Sequence, residues 1–456
     1  MYIRDTIAAI STPLGEGGIG IVRLSGDRVA KIAEKVFVHE SNGGLKSHRF
    51  YYGEIKDPHS GAIIDEAMVV LMRAPKTYTR EDVLEIHCHG GYLVVKKVFE
   101  LVLRQGARLA EPGEFTKRAF VNGRIDLVQA EAVIDIIRGK TDAALSLAQH
   151  QREGLLSERL KDVKEGIIRA LALIEAYLDF PEDEIDLAEN NEINTCVKNS
   201  IIKIENLLDG FNEGRVLREG VSVLIAGKPN VGKSSLLNTL LKENRAIVTS
   251  VPGTTRDIIE EVVNIMGLPV KMLDTAGIRH TDDVVEKEGV RLALEKIAMA
   301  DLVLFVLDVS RAFDDGDMLL AEALISSNTI LVKNKSDLAS SIELPDMLKD
   351  KPNIEVSTVN GHGIEGLRKM IFSTFVQNKA VDSREYVVLS HARHRDAMVR
   401  TRDALNCFNR NYEGGMNLEI LALDLRHALN AMGEITGETT PDDILELIFQ
   451  RFCIGK

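Results

Sequence analysis

The sequence has 456 residues, of which 45% are hydrophobic and 27% charged, and this composition is typical of a soluble globular protein of roughly three domains. Its formal net charge of -13 disfavours direct binding of a phosphate backbone. Contact with nucleic acid would therefore need a local basic patch, or a partner that carries the contact.

The cysteines and the apolar runs indicate a cytoplasmic protein. The spacings of Cys88, Cys196, Cys407 and Cys453 suit neither a disulfide framework nor a structural zinc site, which favours a reducing compartment. The N-terminus lacks the long apolar core of a signal peptide. No uninterrupted run reaches the roughly 18 apolar residues of a membrane span. We therefore expect a cytoplasmic location without membrane contact.

Residues 1–118 mix short β-rich runs with glycine and proline, which predicts an α/β or α+β domain. A G-x-G-x-x-G pattern is present from position 15 to position 20, but the β run "IVRL" follows it instead of a helix, so a dinucleotide site is disfavoured. His87 and His89 could share one strand face. No third ligand is evident, so packing or a place in a pocket wall is favoured over a metal pair.

Residues 119–214 have a helical pattern and are predicted to form the first part of a helical domain. Apolar residues step by three or four positions through this segment, which places them on one face of a helix. Packing against other helices is the favoured role of this stripe, whose members are Leu160, Val163, Ile167, Leu171, Ile174 and Leu178.

Residues 215–380 alternate apolar β runs with helical runs, which predicts a parallel sheet covered on both faces. Residues 381–456 are helical again and form the second part of the helical domain. Near the end, "TTPDDILELIFQRF" predicts a helix with Ile444, Leu447, Ile448 and Phe452 on one face. The simplest organisation is one helical domain into which an α/β domain is inserted.

The segment "GKPNVGKSS" predicts a phosphate-binding loop, because it follows the apolar run "VSVLIA" and matches G-x-x-x-x-G-K-[ST]. Gly227 and Gly232 let backbone N–H groups turn toward phosphate. Lys233 can reach the outer phosphates, and the hydroxyl of Ser234 can bind Mg²⁺.

Three later motifs favour GTP over ATP. "DTAG" follows a strand, and there Asp274 can hold Mg²⁺ through water while the N–H of Gly277 meets the γ-phosphate. "GTTRD" offers Thr255 as a second Mg²⁺ ligand. In "NKSD", Asp337 can accept two hydrogen bonds from guanine that adenine cannot offer together. Ser357 and Thr358 fit the last loop that contacts the base.

The position after "DTAG" holds Ile278, where many Ras-like enzymes have a glutamine that orients water. An apolar side chain cannot orient water, so another group must do so. Nearby acids include Glu286, and Arg256 and Arg279 are candidates for an arginine finger.

Eight segments are distributed over the whole length of the sequence: "GEGGIGIVRLSG", "REDVLEIHCHGG", "EPGEFTKRAFVNGRIDLVQAEAV", "GKPNVGKSSLLN", "VPGTTRD", "DTAGIR", "GEITGE" and the terminal "FCIGK". With these segments the sequence resembles the MnmE (TrmE) family of tRNA uridine-modification GTPases. This resemblance implies an N-terminal domain similar to folate-binding domains (1–118), followed by a helical domain (119–214 and 381–456) with an inserted Ras-like G domain (215–380).

The resemblance also implies a reaction and partners. Family members are homodimers joined through the N-terminal domain. With a flavin-dependent partner, MnmG (GidA), in a heterotetramer or larger complex, they install an aminomethyl-type or carboxymethylaminomethyl group at C5 of the wobble uridine. A tetrahydrofolate derivative, in its 5,10-methylene or 5-formyl form, supplies the one-carbon unit. We expect tRNA to be bound mainly through the partner.

In this family a potassium ion and dimerisation of the G domains replace the arginine finger, which agrees with charge stabilisation near the β- and γ-phosphates. By resemblance Glu286 activates water, and the K⁺ ligands are Asn230, Thr249, Val251 and Thr254. The motifs and the resemblance together predict a GTP site formed by Asn230, Val231, Gly232, Lys233, Ser234, Ser235, Thr249, Ser250, Val251, Pro252, Gly253, Thr254, Thr255, Asp274, Thr275, Ala276, Gly277, Asn334, Lys335, Asp337, Ser357 and Thr358.

By resemblance the folate contacts are Arg23, Glu81, Arg124 and Lys456. A carboxylate suits the guanidine-like edge of a pterin, and arginine suits the carboxylates of folate. One position departs from the family, since Arg80 stands where glycine is common. Cys453 matches a near-terminal cysteine that the family needs for modification, which implies a nucleophilic role.

Two other functions stay open. The first is a regulatory scaffold that senses GTP and folate without chemistry of its own, although a scaffold needs no terminal thiol such as that of Cys453. The second is a ribosome-assembly GTPase, which the net charge of -13 and the lack of a basic RNA-binding segment disfavour.

Overall fold

The computed structural model describes residues 5–40, 44–179, 191–242, 261–273, 297–377 and 387–456. Two compact units divide the chain: Met1–Ile134 together with Asn430–Lys456, and Asp135–Leu429. The C-terminal residues thus belong to the same unit as the N-terminal domain. The predicted domain boundaries after residues 118, 214 and 380 stay predictions.

A seven-stranded sheet forms the centre of the first unit. Its order is β3-β4-β5-β6-β2-β1-β7, and neighbouring strands are antiparallel except for β1 and β7. The strands are β1 (Ile7–Ile10), β2 (Ile19–Ser25), β3 (Phe37–Val38), β4 (Arg49–Lys56), β5 (Ile63–Met72), β6 (Val83–His89) and β7 (Arg108–Leu109).

Helices α1 (Val29–Val36) and α2 (Tyr92–Arg104) cover one face of this sheet. Both helices have an apolar stripe at the spacing of a helix, and burial of that stripe against the sheet drives their packing. The shared core includes Val29, Ile32, Val36, Val95, Val98 and Leu101 from the helices, and Val22, Leu24, Val69, Leu84 and Ile86 from the strands.

The C-terminal residues of the first unit pack on α3 (Glu114–Val121) and the start of α4 (Leu127–Arg138). They comprise the end of α14 (Leu418–Thr436), then α15 (Asp442–Phe449) and a short tail. The predicted apolar face of α15 is wrong at Leu447, which is 61% exposed, whereas Phe449 is 2% exposed. The helix ends at Phe449, so Phe452 reaches the core from a turn and does not extend the helical stripe.

Helices dominate the start and end of the second unit: α5 (Asp142–Glu153), α6 (Leu155–Asp179), α7 (Asn191–Asp209), α8 (Phe211–Glu219) and α13 (Ala392–Glu413). The stripe predicted along α6 is present, with Leu160, Val163, Ile167 and Ile174 buried. Leu171 and Leu178 are only partly buried, and Leu156 and Ala170 complete the buried face.

Between these helices lies a second sheet, with the order β13-β12-β11-β8-β10-β9. All neighbouring strands are parallel except β9 and β10. Its strands are β8 (Val221–Ala226), β9 (Glu261–Ile265), β10 (Leu268–Leu273), β11 (Leu302–Asp308), β12 (Thr329–Asn334) and β13 (Asn353–Glu355).

Helices α9 (Lys233–Lys242), α10 (Asp315–Ala323), α11 (Asp346–Lys349) and α12 (Ile364–Phe375) accompany this sheet. All seven residues of β11 are buried, with Val303 and Phe305 in one core and Leu304 and Val306 in another. Burial of alternate residues in different cores is what the predicted coverage of both faces requires. In the described part of the chain, no helix has the length and apolar character needed to cross a membrane.

Candidate functional site

The predicted phosphate-binding loop lies at a switch point of the second sheet. Residues 227–232 connect the end of β8 to the start of α9. Strands β9 and β10 lie on one side of β8 and the later strands β11, β12 and β13 lie on the other, so the strand order reverses at β8. In open α/β sheets, ligands bind at the carboxyl ends of strands at such a point.

Two positions of this loop have no room for a side chain. A Cβ atom on Gly227 would lie 2.5 Å from the carbonyl oxygen of Val306, and one on Gly232 would lie 2.1 Å from Nδ2 of Asn334. Both glycines also have φ in the left-handed region, at 145° and 101°. Close packing therefore requires glycine at both positions, and it leaves the loop backbone free to face a ligand.

The ammonium group of Lys233 is held at the centre of the loop. It donates hydrogen bonds of 2.7 Å to the carbonyl oxygens of Gly227 and Lys228. Burial lowers the pKa of Lys233. Ser234 and Ser235 follow in the first turn of α9 and are exposed, and a helix N-terminus favours anions. The loop thus combines a fixed cation with a positive helix end.

The predicted base-reading loops are joined to each other and to the phosphate loop. Nδ2 of Asn334 donates to the carbonyl oxygen of Val231 at 2.8 Å. Oγ of Ser357 donates to Oδ1 of Asp337 at 2.6 Å, and the N–H of Ser336 donates to the carbonyl oxygen of Val356 at 3.1 Å. These bonds bring the loops 227–232, 334–337 and 357–358 to one end of the sheet.

Sequence reasoning missed Asp308, which ends β11 beside the base-reading loop. It accepts hydrogen bonds from Nζ of Lys335 and from Oγ of Ser310, the latter at 2.7 Å. Burial alone would raise the pKa of Asp308, but Lys335 and Ser310 hold it below its usual range. The sequence feature that could have identified Asp308 is an acidic residue at the end of an apolar run, between "DTAG" and "NKSD".

An ion pair between the phosphate loop and α10 was also missed. Nζ of Lys228 lies 2.6 Å from Oδ2 of Asp314 and 2.8 Å from Oδ2 of Asp317. Burial would lower the pKa of Lys228, but the two carboxylates raise it above its usual value. Asp314 also caps α10 through the N–H groups of Gly316 and Asp317. The loop is thereby fastened to a capped helix.

Several predicted residues lie outside the described ranges. They are Thr249, Ser250, Val251, Pro252, Gly253, Thr254, Thr255, Arg256, Asp274, Thr275, Ala276, Gly277, Ile278, Arg279 and Glu286.

A second candidate site lies in the first unit, where the C-terminal tail packs on the N-terminal sheet. The carbonyl oxygen of Gly455 accepts hydrogen bonds from Nη1 of Arg23 at 3.2 Å and from Oγ of Ser11 at 3.3 Å. Gly455 has φ of 96°, and a Cβ there would lie 2.8 Å from the carbonyl oxygen of Ile10. Only glycine fits this contact without displacing the tail.

Cys453 lies between two anchors of the tail. Phe452 is buried before it, Gly455 is buried after it, and Cys453 itself is exposed. The carbonyl oxygen of Cys453 accepts from the N–H of Gly113 at 3.4 Å and from the N–H of Lys456 at 3.3 Å. The backbone at Cys453 is therefore held while its thiol faces solvent.

The structure connects Arg23 and Glu81 through neighbouring positions of β2. The guanidinium of Arg23 pairs with Glu85 at 2.8 Å and lies 5.9 Å from the ring centroid of Phe115. Two residues along β2, Oγ of Ser25 donates to Oε2 of Glu81 at 2.7 Å. Arg23 thus contacts the tail directly, and Glu81 contacts the same strand.

Arg118 is a further residue that sequence reasoning missed. It is almost fully buried, and its Nη1 lies 3.1 Å from Oε2 of Glu81 while its Nη2 lies 2.9 Å from Oε1 of Glu114. Arg118 also pairs with Asp5. Burial would raise the pKa of Glu114, but Arg108 and Arg118 hold it below its usual value. Glu114 lies four residues before Arg118 on the same helix, but Asp5 and Glu81 are far away in the sequence, so no single motif signals the whole network.

Arg124 stacks on Tyr78, which lies in the same loop as Glu81. Its guanidinium lies 4.9 Å from the ring centroid of Tyr78, a cation–π distance. In the same loop Arg80 has φ of 59°, and its Nη1 donates to the carbonyl oxygen of Asn122 at 2.9 Å. Arg80 therefore adopts the left-handed backbone that glycine favours, so the departure from the family pattern does not require another loop shape.

The histidines flanking Cys88 take part in separate acid pairs. His87 lies 3.1 Å from Glu85, and His89 lies 2.7 Å from Asp65. Over the residues that the structure describes, no group of three or more His, Cys, Asp or Glu side chains could hold a metal ion. His87 is partly buried and His89 is exposed, so neither histidine lies in the core.

Comparison with known proteins decides the family. Residues 127–453 match the model of the MnmE helical domain, and residues 6–124 match that of the GTP-binding protein TrmE N-terminus. The chain belongs to the MnmE family. Its similarity to curated MnmE relatives extends over the whole chain, and it confirms both the predicted family and the predicted fold class of an N-terminal α/β domain with helical and P-loop domains.

Three MnmE relatives carry the name tRNA modification GTPase MnmE. Those of Geobacter metallireducens and Geotalea uraniireducens are 64% and 63% identical, and that of Thermoanaerobacter pseudethanolicus is 50% identical, each over 100% of both chains. Among solved structures, the G domain of the T. maritima FeoB iron transporter is 30% identical over 34% of this chain and 97% of that chain, with a TM-score of 0.26.

Proposed function

We propose that this chain is a GTP hydrolase that acts in tRNA modification. The observation that supports this proposal most directly is the junction of three loops. The side chain of Asn334 donates a hydrogen bond to the phosphate loop, and Ser357 donates one to Asp337. The same junction offers a cation for phosphates and a carboxylate for a base. The curated relatives are named for this activity.

Guanine is the base that suits Asp337. A carboxylate has about four acceptor positions, and the bond from Ser357 takes one of them on Oδ1. The remaining positions can accept from both N1–H and the exocyclic amine of guanine. Adenine has an acceptor at N1, so it would leave one carboxylate position facing a lone pair. This difference favours GTP over ATP.

The loop 227–232 and the N-terminus of α9 are suited to bind the phosphates of GTP. The glycine cradle leaves backbone N–H groups to bind phosphate oxygens, and Lys233 balances their charge. Ser234 and Thr255 would hold Mg²⁺, which when bound neutralises charge on the β- and γ-phosphates. Asn230, Thr249, Val251 and Thr254 would hold K⁺, and Glu286 would orient the attacking water.

The residues around the tail suit a tetrahydrofolate derivative, in its 5,10-methylene or 5-formyl form. Glu81 can accept from a pterin edge, while Arg23, Arg124 and Lys456 can pair with carboxylates. The ring of Tyr78, stacked on Arg124, offers an aromatic wall. Folate would supply the one-carbon unit, and the exposed thiol of Cys453 would act as a nucleophile beside it.

We also propose a homodimer formed through the N-terminal domain. Strands β4 and β5 expose apolar side chains on the sheet, with Phe50 at 57%, Tyr52 at 67% and Met68 at 43% exposure. Tyr52 and Met68 are directly opposite each other across the two strands, so they form one patch. A second copy is the occupant that such a patch suits.

The remaining partners follow from the family. A flavin-dependent protein, MnmG (GidA), joins the dimer in a heterotetramer or larger complex in the cytoplasm, and it carries most of the tRNA contact. The net charge of -13 supports this division, because an acidic surface disfavours tRNA.

Nucleoside mass spectrometry of tRNA tests this function. Cells lacking the protein should lose the modified wobble uridine, wild type should restore it, and Cys453→Ser should not. Purified Cys453→Ser should keep potassium-stimulated GTP turnover. Unchanged uridines in the deletion strain would reject the modification function. Normal modification by Cys453→Ser would favour the scaffold over a thiol reaction.

A further inference from the structure

The loop that carries Glu81 is fastened to helix α3 of the first unit. Nδ2 of Asn122, the C-cap of α3, donates to the carbonyl oxygen of Thr79 at 2.6 Å. The hydroxyl groups of Tyr78 and Thr116 share a hydrogen bond of 2.9 Å. The loop is therefore held to α3 through both its backbone and one of its side chains.

Arg118 of α3 binds the carboxylate of Glu81 directly. Nη1 of Arg118 donates to Oε1 and Oε2 of Glu81, at 3.3 Å and 3.1 Å. Oε2 also accepts from Oγ of Ser25, a fully buried residue, at 2.7 Å. The side chain of Arg118 is 2% exposed, whereas that of Glu81 is 15% exposed. A buried cation and a buried hydroxyl thus hold the carboxylate, while part of Glu81 stays accessible to a ligand.

Two further acids fix the guanidinium of Arg118. Its Nη2 donates to Oδ1 of Asp5 and to Oε1 of Glu114, the latter at 2.9 Å. Burial would raise the pKa of Asp5, but Arg108 and Arg118 hold it below its usual range, so this acid is ionised at neutral pH. A planar guanidinium bound by several acids cannot turn without breaking charge-assisted hydrogen bonds. Arg118 therefore offers Glu81 a donor of fixed direction.

Arg108 meets the same acids from a more exposed position. Its guanidinium pairs with Asp5 at 2.7 Å and with Glu114 at 2.7 Å, and its side chain is 46% exposed. Within the described part of the chain, none of the hydrogen bonds of Arg108 reaches Glu81. Two arginines thus share one acid cluster, and they differ in whether they bind Glu81.

We propose that Arg118 is a positioning residue for folate: with Ser25 it aims the carboxylate of Glu81 at the 2-amino edge of the pteridine ring. This inference rests on the proposed tetrahydrofolate site. That edge has a ring N–H beside an amino group, and one carboxylate can accept from both. A displaced Glu81 would lose these bonds, while the contacts of arginine with the carboxylates of folate would stay. Arg118 should therefore control recognition of the 2-amino group.

The test compares 5-formyltetrahydrofolate with its 2-desamino analogue, by isothermal titration calorimetry on the full-length protein. Wild type should bind the analogue at least about tenfold more weakly, because a hydrogen bond to a charged group is lost. Arg118→Lys keeps the charge but not the fork that joins Asp5 to Glu81. It should bind 5-formyltetrahydrofolate at least about tenfold more weakly than wild type and distinguish the two ligands by less than about threefold. Damage to the fold would instead lower both affinities equally.

Arg108→Lys is the matched control, because it makes the same change in the same acid cluster. It should keep the discrimination of wild type between the two ligands. Ser25→Ala removes only a hydroxyl group, and it decides by the same ratio if Arg118→Lys does not fold, with an expected reduction of at least about threefold. Unchanged discrimination in the folded variants would overturn the inference, as would an equal loss in Arg108→Lys.

Glu81→Gln separates this inference from the proposed function. Loss of discrimination in Glu81→Gln but not in Arg118→Lys or Ser25→Ala would overturn the positioning role alone. Absence of 5-formyltetrahydrofolate binding to wild type would reject the proposed folate site, and the inference with it. Equal discrimination by wild type and Glu81→Gln would reject the contact of Glu81 with the pteridine.

Discussion

The nucleotide loop and the C-terminal tail both depend on glycine, but they are built in different ways. Around Gly232 the site is the local segment 227–235, and its ligand groups are mostly backbone. Around Gly455 the tail meets residues from distant segments, namely Ser11, Arg23 and Gly113. A local backbone site is readable from a short motif, whereas a site assembled from distant segments is not.

The largest effect is expected from Gly232→Ala, which tests the local site. The added Cβ would lie 2.1 Å from Nδ2 of Asn334, and its φ of 101° disfavours alanine. We expect at least about a hundredfold loss of GTP affinity, because the loop must move away from phosphate. Isothermal titration calorimetry measures the loss.

The matched control is Gly415→Ala, which has φ of 67° and open space around its Cβ. It carries similar backbone strain without the collision. Equal GTP affinity for the two variants would show that the close approach at Gly232 is unimportant.

Gly455→Ala tests the assembled site. Its Cβ would lie 2.8 Å from the carbonyl oxygen of Ile10, so the tail should detach from Arg23. We expect about a tenfold loss of tetrahydrofolate affinity and of tRNA modification, with GTP turnover unchanged. Gly415→Ala, with φ of 67° and no neighbouring atoms, is the control. Normal modification by Gly455→Ala would contradict the role of the docked tail.

Lys228→Met tests the ion pair that fastens the loop to α10. Partial exposure of the pair limits its contribution, so we expect GTP affinity to fall only about threefold to tenfold. Lys228→Arg should keep most of the affinity, because it retains the charge. A fluorescent GDP analogue can measure both variants. Equal nucleotide affinities of Lys228→Met and Lys228→Arg would show that this ion pair does not support nucleotide binding.

The smallest effect is expected at Arg80, where the backbone is left-handed. Arg80→Gly removes the strain and one hydrogen bond, so its unfolding free energy should change by less than about 1 kcal/mol. Arg80→Val should destabilise by about 1–2 kcal/mol, since a β-branched residue resists this conformation. Chemical denaturation compares them. A Val variant as stable as the Gly variant would contradict the assigned backbone.

Sequence predicted what periodicity and short motifs encode. The buried strand β11, the α6 stripe and the strand–loop–helix order around Lys233 are all present. The prediction for Leu447 was wrong because the buried face of α15 contains Ile448 and Phe449 instead, and the helix ends before Phe452. Periodicity does not specify where a helix ends.

Residues joined only by tertiary contacts escaped prediction. Asp308, the Lys228 pair and the buried Arg118 network depend on which side chains face one another across elements. Apart from the i,i+4 pair of Glu114 and Arg118, the partners are far apart in the sequence, so no local rule finds them. The tail residues were found through the family resemblance, and their packing on the sheet came from the structure.

Equilibrium binding of GTP and ATP to the wild-type protein and to Asp337→Asn tests the central claim most directly. We expect at least about a thousandfold preference of wild type for GTP, since adenine presents a lone pair where guanine donates to the carboxylate of Asp337, and we expect loss of that preference in Asp337→Asn. Equal affinity of wild type for GTP and ATP would contradict it.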